Sequence, residues 1–251
     1  MVNLYSSIAE SVNTYYYKLA LDMGISKFDF YMRRYGFGQP TGIDLVGEVS
    51  GTVPSPEWKR KRFNQQWFTG ETVIAGIGQG FWVVTPLQLA QGTASLANGG
   101  RLMPLRIVQK KRIGLNQPWQ LQEKPASKSI GATPPQLQAI NRGMQMTMHS
   151  PRGTGYAMGA HAPYLIAGKT GTVQKISRKG NISLDPKNLP LHLRHQALFI
   201  GYAPADDPKI AVVVVVEHGG YGATSAGPIA RKMMDAYLLK PKAALPQSAA
   251  E

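Results

Sequence analysis

The chain has 251 residues, 43% apolar and 17% charged, which is enough to bury a core in one or two domains and excludes wholesale disorder. Cysteine is absent, so disulfides, cysteine zinc sites and thiol nucleophiles are all excluded. Lysine and arginine outnumber the acids 28 to 14, for a formal charge of +14. That excess reads either as solubility alone or as the mark of an anionic neighbour: nucleic acid, anionic lipid or an acidic polymer.

In chain order, Leu4, Ile8, Val12, Tyr15, Tyr16, Leu19 and Met23 recur at helical steps and predict one helix ending at Gly24. A second helix is expected from Ser26 to Tyr35. Glycines and prolines then punctuate residues 36 to 72, predicting a long irregular stretch that is functional or partner-facing. Inside it, Lys59-Arg60-Lys61-Arg62 reads by default as a solvated basic face, with an anion contact as the alternative. Gly76-Ile-Gly-Gln-Gly80 lacks the strand context of a dinucleotide fingerprint and predicts a tight backbone approach before the next helix. Thr85-Pro86 and Thr133-Pro134 each read as an N-cap followed by proline at the first helical position. They predict helices to Asn98 and to about His149. Residues 101 to 112 look extended and basic, a polar insertion runs on to about Gly131, and Ser150 to Gly155 is a turn.

The last third changes period. Strands are expected at Leu165–Val173, Ala197–Tyr202 and Lys209–Glu217, and a closing helix at Ala226–Leu239. The continuous β-branched run from Ile210 to Val216 predicts a strand inside a sheet, buried on both faces. With seven residues it is also the longest apolar run, far short of the roughly 20 that a membrane span needs. Met1 to Glu10 have neither the basic nor the apolar region of a signal peptide, so no export signal is read there.

Gly168-Lys169-Thr170 is not a phosphate loop. The glycine that motif requires five residues earlier is Pro163, and the triplet lies in a strand rather than before a helix. His192 and His195 lack a zinc-motif context, so no metal is expected. Nucleic acid is not expected either, although Trp58, Phe63, Trp67 and Phe68 flank the basic run. On an exposed strand, Lys169-Thr170-Gly171-Thr172 offers a cation and hydroxyl donors to a carboxylate or an acyl group, and Gly171 permits close approach.

Ser11-Val12-Asn13 precedes Lys169-Thr170-Gly171 by about 160 residues. Ser-x-Asn and Lys-Thr-Gly are two of the three signatures of penicillin-binding proteins and class A β-lactamases. With Asn13–Ala20, Tyr35–Gly38, Thr41–Leu45, Gly76–Gly80 and Thr85–Ala90, the chain closely resembles the transpeptidase domain of class B penicillin-binding proteins. Pro54-Ser-Pro-Glu-Trp-Lys59 resembles the elongation-type members.

The resemblance implies an α/β (α+β) penicillin-binding/β-lactamase-like transpeptidase fold, with an incomplete antiparallel sheet of about three strands packed with helices. A partial transpeptidase domain would span 1–240, and a flexible tail 241–251. It also implies a serine-type D,D-transpeptidase that cross-links peptidoglycan stem peptides through an acyl-enzyme, binds β-lactams, needs no cofactor, and works with the cell-wall elongation machinery at the periplasmic face of the inner membrane. Catalytic roles would fall to Ser11 (proton relay), Asn13 (substrate amide) and Lys169. Lys169, Thr170, Gly171 and Thr172 would bind the substrate, Lys169 and Thr170 holding its carboxylate while the Thr172 N–H supplies half of an oxyanion hole. At position 13 the elongation-type members often carry Asp.

No serine of this sequence is followed three positions later by lysine, so the family's Ser-x-x-Lys nucleophile motif is not among these residues. The chain is therefore expected to be the C-terminal part of such a domain, from a truncated, frameshifted or split gene, and inactive alone. Its β-branched strand would then become a sheet edge for want of a neighbour. The alternative of another class is a non-catalytic module that binds peptidoglycan or a partner.

Overall fold

Three antiparallel strands carry the architecture: β5 (Ala167–Val173), β6 (Gln196–Ala203) and β7 (Ile210–Val216), in the order β5-β6-β7. The computed structural model describes residues 1–123, 126–174 and 189–239. The tail expected over 241–251 lies outside the described residues. Register is continuous, with Lys169 opposite Ile200 and Gly201 opposite Val212.

The faces of the sheet pack differently. On one, Phe199, Val212 and Val214 meet Ala226, Ala230 and Met234 of the closing helix α9 (Ala226–Leu238). Gly168 is required there, because a Cβ at that position would lie 2.6 Å from the Phe199 ring. On the other face, Ala167 and Tyr202 meet Ile8 of α1 (Leu4–Ala9) and Met144 of α7 (Pro134–His149). Toward Val173, Leu198 and Val215 that second face opens into an apolar cavity of about 610 Å³, walled opposite by Phe28, Trp82 and Leu89.

Several expected helices form where the local signals place them: α3 (Ile25–Arg34), α6 (Pro86–Ala97) and α7. Thr85 and Gln88 cap α6 reciprocally, at 3.0 and 3.1 Å, which satisfies donors that a helix start otherwise leaves open. The single helix expected from Leu4 to Met23 is instead two, α1 and α2 (Asn13–Met23). Ser11 takes a left-handed φ of 56° between them. The Val12 N–H donates to Ser7 O (3.0 Å) and the Ser11 N–H to Ile8 O (3.3 Å), the paired bonds of a Schellman motif. α1 packs on α7 while α2 packs on α5 and α3, and Tyr16 of α2 reaches back to the core around Ile8, so helical periodicity runs through the break.

Residues 36 to 72 are less irregular than expected, since they contain α4 (Pro56–Phe63) and the start of α5 (Thr69–Ala75). The loop before α4 is tied down by its acids. The Asp44 carboxylate accepts the N–H groups of Ile107 and Val108 at 2.6 and 2.8 Å, which lowers its pKa. The basic run is not uniformly solvated either. Arg60, Lys61 and Arg62 are exposed, but the Lys59 side chain is 3% exposed and paired with Glu71.

Short pairs β1 (Arg101–Leu102) with β4 (Lys128–Ser129), and β2 (Lys110–Lys111) with β3 (Gln120–Leu121), form the polar insertion. The β-branched run does form a strand, but not inside the sheet as its composition alone predicts. β7 lies at the end of the strand order, and among the described residues its outer edge pairs with nothing. Both its faces are covered, by α9 and α6, and that cover selects the apolar composition.

Candidate active site

The Lys-Thr-Gly strand and the Ser-x-Asn turn meet. The Lys169 ammonium donates to Ser11 Oγ at 2.8 Å, across 158 residues of sequence, and to its neighbour's carbonyl, Thr170 O, at 2.7 Å. The Schellman turn makes this possible by directing Ser11 out of the helix line. Three contacts hold the turn in place. Ile8 packs against Gly143, where a Cβ would fall 2.6 Å from Ile8 Cδ1. The Thr154 N–H donates to Ala9 O at 3.0 Å, and Arg152 pairs with Glu10 at 2.7 Å. A left-handed serine costs about 1–2 kcal/mol, so the residue is kept there against local preference.

Lys169 has a hydroxyl and a carbonyl as partners, and neither compensates a full charge. Burial pushes its pKa down to about 8. A cation held this way favours an anionic ligand, which would supply the missing counter-charge.

The Thr170 hydroxyl lies 2.7 Å from the Thr154 hydroxyl, so the segment read only as a turn adds a hydroxyl to the site. Gly171 is approached closely by the loop after β7: a Cβ on Gly222 would sit 2.5 Å from Gly171 O. On Thr172, the carbonyl accepts the Gln79 side-chain amide at 3.0 Å. Asn13 opens α2, two residues beyond Ser11, and is exposed. The structure thus brings Ser11, Lys169, Thr170 and Thr172 to one strand edge, with Asn13 at its border. Thr154 and Gln79 were not read as site residues. The glycines around Gln79 were the available signal, since Gly78 and Gly80 both have positive φ and free the chain to project that side chain.

A sequence profile described as "Penicillin binding protein transpeptidase domain" matches residues 1–235. The chain belongs to this family. It is 39% identical over 238 residues to the peptidoglycan D,D-transpeptidase MrdA of Haemophilus influenzae, covering 94% of this chain and 36% of that protein. To the MrdA of Escherichia coli K12 it is 35% identical over 239 residues, covering 95% and 37%. The chain therefore spans less than two-fifths of the length of these relatives.

Among solved structures, penicillin-binding protein 2 of Pseudomonas aeruginosa in complex with WCK 5153 superposes with a TM-score of 0.82 at 40% identity, covering 100% of this chain and 52% of that one. The complex between penicillin-binding protein 2 and MreC from Helicobacter pylori gives 0.78 at 33% identity, covering 95% and 40%. The fold is that of a penicillin-binding transpeptidase, and the relatives are of the elongation type. Among the described residues no helix is long and apolar enough to cross a membrane.

Proposed function

We propose that the chain forms the carboxylate-binding side of a peptidoglycan D,D-transpeptidase site, the part that holds the donor stem peptide or a β-lactam for attack by a serine. The observation that carries this reading is the 2.8 Å contact between Lys169 and Ser11, which gathers two distant motifs around one partly buried cation. Lys169 and the Thr154–Thr170 hydroxyl pair receive the ligand's carboxylate. The Ser11 hydroxyl, bonded to the same ammonium, relays a proton between the attacking serine and the leaving amine. The Thr172 N–H stabilises the tetrahedral oxyanion, and Asn13 bonds the substrate amide.

The attacking serine and its lysine lie outside this sequence, so the chain alone forms no acyl-enzyme. It works at the periplasmic face of the inner membrane with the elongation machinery; likeness to a penicillin-binding protein 2 solved with MreC supports that partner.

Fluorescent penicillin tests the reading. The chain alone should remain unlabelled on a denaturing gel. The same chain joined to a nucleophile-bearing N-terminal part of the domain, hereafter the restored enzyme, should label stoichiometrically. Labelling of the isolated chain would identify another nucleophile, and a folded restored enzyme that does not label would overturn the proposal.

A further inference from the structure

Gln79 contacts β5 in a way that the transpeptidase reading does not by itself require. Its amide nitrogen donates to Thr172 O at 3.0 Å, and its amide oxygen accepts the Gln174 N–H at 3.4 Å. One side chain thus bonds a carbonyl and an N–H two residues apart on the same strand, as a residue of a neighbouring strand would.

The geometry also defines which groups face the open edge. In an antiparallel strand the N–H and C=O of one residue point to the same side. Because Thr172 O is taken by Gln79 rather than by β6, the Thr172 N–H faces that open edge as well. Thr170 O is held by Lys169 at 2.7 Å, and beyond Thr172 the edge is occupied by Gln79. The Thr172 N–H therefore lies between two side-chain clamps.

Gln79 is itself firmly placed. Gly76 presses on α2, where a Cβ would lie 2.5 Å from the Ala20 methyl. The Gln79 N–H caps α5 through Ile74 O at 3.2 Å, and left-handed Gly78 and Gly80 flank it.

We infer that Gln79 is a positioning residue: its amide bonds the edge of β5 as a neighbouring strand would, fixes the direction of the Thr172 N–H, and ends at Thr172 the stretch of edge along which a peptide ligand pairs. The inference rests on the reading of Thr172 as an oxyanion donor. Holding Thr172 by its carbonyl limits rotation about its own backbone. Without the clamp, the strand end twists and the donor leaves the line of the developing charge. Such a misplacement costs transition-state stabilisation rather than ground-state binding.

The test uses Gln79→Ala and the near-isosteric Gln79→Glu in the restored enzyme, with β-lactam acylation separated into binding and chemical step. Gln79→Ala should slow the chemical step on the order of 10²-fold and leave the binding constant and the unfolding midpoint nearly unchanged. Gln79→Glu keeps an acceptor for Gln174 but sets a carboxylate oxygen against the Thr172 carbonyl and a negative charge beside the developing oxyanion, so it should slow the chemical step at least as much. In the isolated chain, Gln79→Ala should speed hydrogen exchange at the Gln174 amide, whereas Gln79→Glu should not. If neither variant alters the chemical step while Lys169→Ala still slows acylation, the inference fails and the site reading survives. If Lys169→Ala is also silent, the reading beneath it fails. Should Gln79→Ala not fold, Gln79→Glu decides alone: a wild-type chemical step overturns the proposal.

Discussion

Two lysines of this chain are drawn into the protein, Lys59 fully and Lys169 in part, and they are held in opposite ways. Lys59, on α4, meets the Glu71 carboxylate at 2.5 Å and lies 4.7 Å from the centre of the Phe68 ring. Glu71 in turn accepts the Phe68 N–H at 2.7 Å. The cation, its counter-charge and its aromatic cover close on each other and leave nothing for a ligand. Among the described residues, Lys169, on β5, meets only the Ser11 hydroxyl and the Thr170 carbonyl, and burial takes its pKa down to about 8. The first arrangement locks α4 to α5. The second leaves its cation at a strand edge with no counter-charge among the described residues. The difference shows that burial of a lysine does not by itself leave its charge available to a ligand.

The comparison can be broken by removing each cation. Lys59→Ala should cost about 3 kcal/mol of stability, the lower end for a broken buried pair because Glu71 keeps its bond to Phe68 and some solvent contact. Urea unfolding measures it, with exposed Lys61→Ala as a control expected within about 0.5 kcal/mol of the parent. A neutral Lys59→Ala would show that the pair does not lock the helices.

Lys169→Ala should instead slow acylation of the restored enzyme roughly 10- to 150-fold, the worth of a charge-assisted hydrogen bond of about 1.5–3 kcal/mol. Lys61→Ala should leave that rate alone, and equal effects from the two would refute the carboxylate assignment.

The comparison also predicts opposite costs of charge. The folded pKa of Lys169, about 8, lies below its ordinary value of 10.5. Between those values the unfolded chain binds more protons than the folded one, so stability contributed at this site rises with pH across that window. Below pH 8 the burial penalty is fully present. Lys169→Met should therefore be at least as stable as the parent at pH 7. Its advantage should shrink by about 1–3 kcal/mol on going to pH 10.5, as unfolding at the two pH values would show. A constant difference would mean that the lysine is not desolvated. Carboxylate ligands should in parallel bind more weakly above about pH 8, as the free site loses its charge.

The smallest effect belongs to Ser11. Ser11→Gly and Ser11→Ala both lose the hydroxyl, but only glycine relieves the left-handed backbone. The glycine variant should be the more stable by about 1 kcal/mol. Equal unfolding midpoints would indicate that no strain is held there.

Much of this protein was legible before its structure, because the signals are local. The Thr-Pro starts of α6 and α7, the three strands and the closing helix depend on residues within a turn or two of each other. Ser11, Asn13 and Lys169 to Thr172 stood out in the sequence as motifs because they resemble the signatures of a known family, and the structure brings Ser11 and Lys169 into contact. What the sequence could not show is which distant group completes each local pattern. The run from Lys59 to Arg62 is uniformly basic, and only the docking of α4 on α5 selects Lys59 to turn inward. The β-branched residues of β7 reveal that both faces are covered, but composition does not encode whether a strand lies on each side. Gln79 and Thr154 sit in loops without periodicity, and they join the site only because packing of α2, α7 and the sheet carries them to β5. Helix and turn preferences are settled by neighbouring residues, whereas the 2.8 Å contact of Lys169 with Ser11 spans 158 residues and exists only once the core between them has formed.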